Sequence, residues 1–272
     1  MNQRIAFIGG GNMGRSLIGG LIAKGTDPAR IVVADPYAPT LQSLKTQYQV
    51  ATAASNAEAV RDADVVLLAV KPQELRNVVS ALREQLVRNR PLLISIAAGI
   101  LGADIQRWAG GTPVVRCMPN RPAMQGCGVT ALYANDQVDG PGRALAEQIL
   151  GAVGATLWVE RESDMDTVTA ISGSGPAYFF LLIEMLEAAG QSLGLSAQVA
   201  RKLAVETAYG SGCMAHESSD SPATLRQQVT SKGGTTEAAL GHLEANDVRA
   251  IFSQAIAAAA QRSAQLAKEL GG

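Results

Sequence analysis

The sequence predicts an α/β N-terminal domain built on a mostly parallel, doubly wound sheet, followed by an all-α C-terminal domain. The chain has 272 residues, which is more than a single domain usually holds. Its first two thirds alternate short β-branched runs with longer helical patterns, and after Glu162 Ala-rich and Leu-rich segments replace them. These observations predict a boundary between residues 1–162 and residues 163–272.

The predicted strands of the first domain are continuous apolar runs. They are RIAFIG, RIVVADP, ADVVLLAV and PLLISIA, and the helical patterns NMGRSLIGGLIAKG, TLQSLKTQY and ELRNVVSALREQLV separate them. Such alternation is typical of parallel strands joined by crossover helices. Helices then cover both faces of the sheet, which explains why these runs lack a polar side.

Capping residues indicate where the helices of the second domain begin. Ser196 precedes a helical pattern, Ser221 is followed by Pro222 at a first helical position, and Asp247 precedes a long Ala-rich segment. Serine and aspartate side chains accept hydrogen bonds from the first free amides of a helix, and proline is favoured in the first turn. We therefore expect helices to begin at these three sites.

The composition indicates a soluble cytoplasmic protein that acts on small molecules. Hydrophobic residues make up 47% of the chain, and 23 basic against 24 acidic residues leave no charge excess that would attract nucleic acid or anionic membrane. The N-terminus lacks the apolar run of a signal peptide, and the runs YFFLLI and AIAAAA are too short to span a bilayer. The three cysteines form no C-x-x-C pair, so neither a metal site nor a disulfide framework is predicted.

Three glycines between the first predicted strand and the first predicted helix indicate a dinucleotide site. Gly9, Gly11 and Gly14 have the spacing G-x-G-x-x-G. The first glycine permits a tight turn, the second lets the backbone approach a pyrophosphate, and the third lets the helix pack on the strand. The helix N-terminus adds free N–H groups for the phosphates. This context predicts a Rossmann domain.

Asp35 ends the second predicted strand about 20 residues beyond the glycines, where an acidic side chain accepts hydrogen bonds from the adenosine ribose. This position favours NADH, although hydroxyl groups in DPYAPT are compatible with the extra phosphate of NADPH. The alternative interpretation is a glycine turn with a helix-capping aspartate.

A second motif, AVKPQE, follows the strand ADVVLLAV. It puts Lys71 at the carboxyl end of a strand and Pro72 in the first turn of a helix, where ligands of open α/β sheets bind. On spacing alone, Lys71 is equally well explained as a solvated loop charge.

The stretch ISGSGPAYFF, residues 171–180, combines two glycines, two serines and a proline before an apolar run. A nucleophile elbow would need G-x-S-x-G after a strand, and a phosphate loop would need a Lys-Ser or Lys-Thr pair, so both are excluded. We predict a helix from about Ser163 that is interrupted at Gly173 and Gly175 and restarts at Pro176. The glycines serve either the approach of a ligand or a bend needed for packing.

Five motifs together carry a resemblance to a known family. GGGNMG, AVKP, MPNRPA, SGSGPAY and TSKGGTT occur in this order, and the likeness covers nearly the whole chain. The sequence resembles the Δ1-pyrroline-5-carboxylate reductases, which catalyse the last step of proline biosynthesis. The resemblance implies reduction of 1-pyrroline-5-carboxylate to L-proline by NADPH or NADH. It also implies a helical C-terminal domain for substrate binding and dimerisation, with active sites at the interface of a homodimer. Such dimers can assemble into a larger homo-oligomer.

The resemblance also implies which residues hold the cofactor. Asn12 and Met13 join the glycine loop around the pyrophosphate, and Asn56 faces the adenosine ribose. Ala97 and Asn120 approach the nicotinamide. The residues that line the cofactor between these ends are Ala69, Val70, Lys71 and Pro72.

A second glycine loop, SKGGTTEAAL, is the predicted substrate site. Gly233, Gly234 and Thr235 offer backbone amides at a helix N-terminus, which suits the substrate carboxylate. By resemblance, the Thr236 hydroxyl is the catalytic group that hydrogen-bonds the ring nitrogen, and Glu162 lies near the substrate. On spacing alone, Thr235 is an ordinary helix cap.

The chain departs from the family pattern at two positions and carries no conspicuous catalytic acid. Arg121 stands where MPNTP is frequent and Lys232 where SPGGTT is frequent, and both add positive charge beside the predicted ligands. His216 and His242 belong to no catalytic constellation. A cyclic imine is protonated in solution, so the protein's tasks are orientation and electrostatic fit.

Two other functions fit parts of the pattern. A β-hydroxyacid dehydrogenase shares a Rossmann start and a helical second domain, but the lysine of its G-x-x-G-x-G-x-x-x-K-x-x-N motif does not follow Gly173 and Gly175 here. A dinucleotide-sensing protein would keep the fold without turnover. An assay of NAD(P)H oxidation with the pyrroline substrate separates the three.

Overall fold

The computed structural model describes residues 2–271, which fall into two compact units. Unit 1 contains residues 2–174 and 259–271, and unit 2 contains Gly175–Ala258. Unit 1 carries an eight-stranded sheet with helices, whereas unit 2 is entirely helical. The predicted fold class, an α/β part followed by an all-α part, is therefore confirmed.

The sheet has the strand order β3-β2-β1-β4-β5-β6-β7-β8. All neighbouring strands are parallel except β6 and β7, which are antiparallel. The chain winds outward in opposite directions from β1 and β4, so a crevice opens beyond their carboxyl ends, where open α/β sheets bind ligands. The strands are β1 Ile5–Ile8, β2 Ile31–Ala34, β3 Ala51–Thr52, β4 Val65–Leu68, β5 Leu92–Ser95, β6 Val114–Met118, β7 Gly128–Ala134 and β8 Gly154–Trp158.

Helices α1 to α6 lie between the strands in sequence, and helices α7 to α12 follow the last strand. They are α1 Asn12–Ala23, α2 Ala38–Tyr48, α3 Asn56–Val60, α4 Pro72–Asn89, α5 Gly102–Ala109, α6 Gly140–Leu150, α7 Asp164–Val168, α8 Gly175–Ser192, α9 Ala197–Glu217, α10 Pro222–Gln228, α11 Thr235–Ala245 and α12 Val248–Leu270. The four predicted apolar runs form β1, β2, β4 and β5. The strands β3, β6, β7 and β8 were not among the predicted runs.

The first strand shows why the central strands are apolar at every position. Ile5 and Phe7 belong to one buried cluster, which includes Leu17 of α1, whereas Ala6 and Ile8 belong to a second cluster with residues of α4. All of these strand residues are fully buried. Successive side chains of a strand point to opposite faces, so a strand covered on both faces needs apolar residues throughout.

The predicted helix starts in the second half of the chain agree with the structure, with one difference in conformation. Ser196 accepts a hydrogen bond from the N–H of Val199, and Ser221 caps α10, whose first residue is Pro222. Helix α12 begins directly after Asp247, as predicted, but this residue has a φ of +54°. It is therefore left-handed and lacks the extended conformation typical of an N-cap residue.

The α-helix is interrupted at the stretch from Ile171, as predicted, and the interruption has the form of a π-helical turn. The turn spans Thr169–Gly173, and the N–H of Ser174 donates to the carbonyl of Thr169 at 2.8 Å. This longer bond replaces the α-helical pattern, Ser174 forms a bend, and α8 begins at Gly175, one residue before the predicted restart at Pro176. A Cβ on Gly173 would lie 2.5 Å from Cε of Met118, so a missing side chain at this turn permits close packing.

The helical segment Asp164–Ser192, taken across the π-helical turn, is the one described segment that is long and apolar enough to cross a membrane, judged by length and composition. Its most apolar window has a mean hydropathy of 1.2 and is largely exposed. The prediction against a membrane span rested on the run YFFLLI, which understates the length of this helix. Length and composition alone do not distinguish a span from a helix that another protein chain covers.

Unit 2 leaves most of its apolar side chains exposed. Within Gly175–Ala258, the buried residues are Gly175, Ala200 and Ala204. So many exposed apolar side chains are typical of an interaction surface. The large ones are Phe179, Phe180, Leu181, Leu182, Met185, Leu186, Leu193, Leu195, Val199, Leu203, Val205, Tyr209, Met214, Val229, Leu243, Ile251 and Phe252.

Candidate cofactor cleft and substrate loop

A cleft of about 670 Å³ lies at the carboxyl ends of β1, β2 and β4. It occupies the position where dinucleotides bind in sheets of this topology. Seven of the predicted cofactor residues line it: Gly9, Gly11, Asp35, Asn56, Ala69, Val70 and Lys71. The structure thus brings together residues from four separate stretches of the sequence.

Two of the three motif glycines are required by close backbone contacts. Gly9 has a φ of +102°, which favours glycine, and a Cβ there would lie 2.6 Å from the carbonyl oxygen of Ala69. A Cβ on Gly14 would lie 2.7 Å from the carbonyl oxygen of Gly9. These glycines let α1 and β4 pack against the turn, which agrees with the predicted role of the first and third positions.

Gly11 differs from the other two, because its missing side chain leaves open space. No described atom lies within 4 Å of the position that a Cβ would take. Gly11 is the N-cap residue of α1 and lines the cleft. No side chain caps this helix, so the N–H groups of its first turn have no acceptor within the helix. An open backbone at a helix N-terminus fits a pyrophosphate. Asn12 is exposed at the first position of α1, and Met13 is half-buried.

The Asp35 carboxylate is already engaged by the backbone. Its two oxygens accept hydrogen bonds from the N–H groups of Gly10 and Tyr37, each at 2.8 Å. The prediction treated Asp35 as an acceptor for the adenosine ribose and as a reason to favour NADH. The observed bonds give the side chain a partner in the glycine loop that the sequence did not reveal. Each carboxylate oxygen keeps a second lone pair, so the hydrogen bond to the ribose and the preference for NADH stay predictions.

The rim of the cleft is built by two helix starts. Asn56 is the first residue of α3, whose cap is Ser55; Ser55 accepts from the N–H of Glu58 at 3.1 Å, and the Glu58 side chain accepts from the N–H of Ala54 at 2.8 Å. This reciprocal capping fixes the position of Asn56. On the other side, Lys71 is the exposed N-cap residue of α4, and Pro72 occupies the first helical position as predicted.

Two residues predicted to approach the nicotinamide lie outside the lining of this cleft. Ala97 is buried just beyond β5, and its N–H is 3.4 Å from Oγ of Ser95. Asn120 lies in the connection between β6 and β7, where its side-chain oxygen accepts a hydrogen bond from the N–H of Val129 at 2.9 Å. Asn120 therefore has a structural bond that its sequence position did not reveal.

Glu162 takes part in a largely buried ion pair. Its Oε1 lies 3.1 Å from Nη1 of Arg116, whose side chain is only 4% exposed, and it accepts a hydrogen bond of 2.5 Å from the N–H of Gly102. Burial raises the pKa of the neighbouring Asp104, Arg107 opposes this shift, and Glu162 adds to it. The carboxylate that the resemblance puts near the substrate thus also holds β6 and the start of α5 together.

The predicted substrate loop is exposed and held by local bonds. Gly233 has a φ of +72°, and its N–H donates to Oε2 of Glu237 at 2.6 Å, while the N–H of Gly234 donates to the carbonyl of Ser231 at 3.0 Å. Two amides predicted to hold the substrate carboxylate are therefore engaged within the loop. The amides of the first turn of α11, which begins at Thr235, lack intrahelical acceptors and remain available.

The helix cap at this loop differs from the sequence interpretation. Gly234, with extended backbone angles, is the N-cap residue, and no side chain caps α11. Thr235 is exposed at the first helical position, and Thr236 follows it half-buried. Thr235 is thus not the helix cap, because an N-cap side chain must precede the first turn.

Sequence reasoning missed two contacts of predicted site residues. Gly10, between the motif glycines, donates to Asp35 and lies against α2. Arg116 is buried in β6 beside Glu162. An arginine within the apolar run VVRCM was the available signal, since a buried charge requires a partner. The thiol of neighbouring Cys117 is also buried, and burial raises its pKa well above the usual value, so it is not a reactive nucleophile.

The cleft, the glycine loop and the helical second unit define a dinucleotide-dependent oxidoreductase. A family model described as pyrroline-5-carboxylate reductase dimerisation matches residues 162–266, and one described as NADP oxidoreductase coenzyme F420-dependent matches residues 4–99. The pyrroline-5-carboxylate reductase of Pseudomonas aeruginosa is 50% identical to this chain over 98% of both. The chain belongs to the pyrroline-5-carboxylate reductase family.

Solved structures agree with this membership. The pyrroline-5-carboxylate reductase of Coxiella burnetii superposes with a TM-score of 0.95 at 42% identity, covering 98% of this chain and 99% of the other. The Plasmodium falciparum pyrroline carboxylate reductase with NADP bound superposes with a TM-score of 0.85 at 29% identity, covering 98% of both. The resemblance read from the five motifs is confirmed, and the hydroxyacid dehydrogenase interpretation is set aside.

Proposed function

We propose that this protein reduces 1-pyrroline-5-carboxylate to L-proline, the last step of proline biosynthesis, and that it does so in the cytoplasm. The identity of 50% to a pyrroline-5-carboxylate reductase over the whole chain carries this proposal. The geometry of the glycine loop supports it, because the cleft lies where dinucleotides bind and the space at the Cβ position of Gly11 is free. The cofactor is NADPH or NADH, which supplies the hydride.

The cofactor is assigned to one continuous set of residues in unit 1. Gly9, Gly11, Gly14, Asn12 and Met13 surround the pyrophosphate, where the start of α1 attracts its charge. Asp35 and Asn56 lie at the ribose end. The residues assigned to contacts with the nicotinamide half of the cofactor are Ala69, Val70, Lys71, Pro72, Ala97 and Asn120.

The substrate is assigned to the loop before α11. The Thr236 hydroxyl oxygen accepts a hydrogen bond from the protonated ring nitrogen, and the first-turn amides of α11, starting with Thr235, hold the carboxylate. Gly233 and Gly234 shape this loop through their bonds to Glu237 and Ser231. The imine is protonated in solution, so these groups orient the substrate and exclude alternative poses. Glu162 supports the site from the Arg116 ion pair.

The protein forms a homo-oligomer, and we infer that the basic assembly is a homodimer in which both chains contribute to each active site. The dimerisation model matches residues 162–266, and the exposed apolar side chains of unit 2 need a cover. A second copy provides it, including over the apolar helix Asp164–Ser192, so no membrane or nucleic acid is required as partner. The functional division is then a dinucleotide-binding domain, residues 1–162, and a substrate-binding and dimerisation domain, residues 163–272.

The experiment that tests this function is an assay of purified protein with 1-pyrroline-5-carboxylate and each reduced cofactor. We expect cofactor oxidation with formation of L-proline, identified by chiral chromatography. Incubation of the protein with a 3-hydroxy acid and the oxidised cofactor serves as the second arm. Turnover in that arm alone, or binding of cofactor without turnover in either arm, contradicts the proposal.

A further inference from the structure

Asp35 joins the end of β2 to the middle of the glycine loop. Its Oδ2 accepts from the N–H of Gly10 at 2.8 Å, across 25 positions of sequence. Its Oδ1 accepts from the N–H of Tyr37 at 2.8 Å, which is a local turn bond that aspartate commonly makes. The bond to Gly10 is therefore the one that ties two separate elements together.

The glycine loop is held at Gly10 from a second side by packing. A Cβ added to Gly10 would lie 2.7 Å from Cδ1 of Leu44 and 2.8 Å from Cγ2 of Thr40, so its backbone lies directly against α2. One residue earlier, the N–H of Gly9 donates to the carbonyl of Ala34 at 2.8 Å. Asp35 completes the contacts that fix this part of the loop.

We propose that Asp35 is a positioning residue that holds the glycine loop in its binding conformation, and that it does not select between NADH and NADPH. The inference rests on the proposed cofactor site. Hydrogen bonds to a charged acceptor are stronger than those between neutral groups. The bond to Gly10 orients the loop just before Gly11, where the backbone is open toward the cleft.

This role makes a prediction that differs from ribose recognition. The loop faces the pyrophosphate, which NADH and NADPH share, so disturbing it weakens both cofactors by the same factor. An aspartate that reads the ribose would act otherwise, because its loss removes a hydrogen bond from NADH and relieves repulsion of the NADPH phosphate. The ratio of the two affinities separates these roles.

The test uses two Asp35 variants of the full-length protein, titrated with NADH and NADPH by calorimetry. Asp35→Ala removes both acceptor oxygens, and Asp35→Asn keeps the size of the side chain with one acceptor, so the milder variant remains if the first does not fold. Asp27→Ala is the matched control, because Asp27 Oδ1 also accepts from an amide two residues later, that of Ala29 at 2.9 Å, before the opposite end of β2. Amide hydrogen exchange of the loop is measured without cofactor.

We expect both cofactors to bind about ten- to a hundredfold more weakly to the Asp35 variants, with an unchanged ratio of affinities. Faster exchange of the loop amides should accompany this loss, and Asp27→Ala should show neither effect. Weaker NADH binding with unchanged or tighter NADPH binding overturns the inference, and so does unaltered exchange of the loop. Wild-type protein that binds neither cofactor would instead contradict the proposed function, and the inference with it.

Discussion

Two glycine loops of this chain each precede a helix, α1 and α11, but they differ in what surrounds them. The loop at Gly9 to Gly11 is held by bonds to Ala34 and Asp35, which belong to a neighbouring strand and its end. The loop at Gly233 and Gly234 is held only by short-range bonds in the contacts described for it, and most of it is exposed. The first loop is preformed within one chain, whereas the second lacks the buried surroundings that usually shape a binding site.

This difference suggests that the two halves of the active site obtain their surroundings from different sources. Unit 1 buries large side chains on both faces of its sheet, and the cofactor cleft lies on that sheet. Unit 2 buries only Gly175, Ala200 and Ala204. We infer that one chain suffices to bind the cofactor and that catalysis requires a second chain.

The largest effect is expected from Gly11→Val, which tests the cofactor cleft, the part of the site that is preformed within one chain. The backbone angles of Gly11, φ −64° and ψ −172°, are compatible with valine, and no described atom blocks the new side chain, so the protein should fold. The side chain would occupy the space assigned to the pyrophosphate, and we expect cofactor affinity to fall by about a hundredfold or more.

The matched control for this change is Gly140→Val, because Gly140, the first residue of α6, also lies at a helix N-terminus and also has open space at its Cβ position. Calorimetric titration with NADH and NADPH measures the effect. Unchanged affinity in a folded Gly11→Val protein would show that the cofactor does not approach this residue.

The next effect concerns unit 2, through the substitution Phe180→Glu. Phe180 is 61% exposed in the single chain, and we infer that a second copy buries it. A buried unpaired carboxylate is costly, so we expect a monomeric mass by light scattering at micromolar concentration, loss of reductase activity and normal cofactor binding. Val87→Glu, at a residue 47% exposed on α4, is the control that should remain oligomeric. A monomeric and fully active Phe180→Glu protein would show that catalysis does not require a second chain.

Thr236→Ala is expected to have an intermediate effect. Loss of one positioning hydrogen bond should lower kcat/KM by about ten- to a hundredfold, with little change in cofactor affinity. Thr235→Ala is the control: Thr235 is exposed and does not cap α11, so both its activity and its melting temperature should stay near those of the wild type. Equal losses in both variants would place the substrate elsewhere.

The smallest effect is expected at the π-helical turn, from Gly173→Ala. The added methyl group would meet the flexible end of Met118, which can move, so we expect a loss of about 1 kcal/mol in the free energy of unfolding. The double variant Gly173→Ala with Met118→Ala should recover part of the loss attributable to Gly173→Ala, measured by a denaturant double-mutant cycle. Strictly additive effects would mean that the two residues do not constrain each other.

The sequence revealed those features that depend on local pattern. Apolar runs predicted β1, β2, β4 and β5, because strands covered on both faces have no polar positions. The strand β6 was missed because Arg116 interrupts its run, and its partner Glu162 lies 46 positions away. Such a pairing depends on the tertiary fold and has no local signal.

The sequence predicted which residues belong to the candidate site, but not the hydrogen bonds that hold their side chains and backbone. The spacing of the glycines located the cleft, and the resemblance located the loop at Thr236. The orientation of the Asp35 carboxylate depends on the Gly10 amide, which reaches it only after β1 and β2 have paired. The glycines at Gly173 and Gly175 predicted an interruption of the α-helix, but not its form, a π-helical turn closed by the bond from Ser174 to Thr169.

The central claim is that cofactor and substrate loops of different chains form each active site, and complementation between two defective variants tests it most directly. Gly11→Val chains and Thr236→Ala chains are unfolded together, refolded and assayed. If each site takes its cleft from one chain and its loop from the other, a mixed dimer has one site with both defects and one with neither. We predict recovery of about a quarter of wild-type activity for random pairing. Activity no greater than the average of the two separate variants, in a sample shown to contain mixed dimers, would contradict the claim.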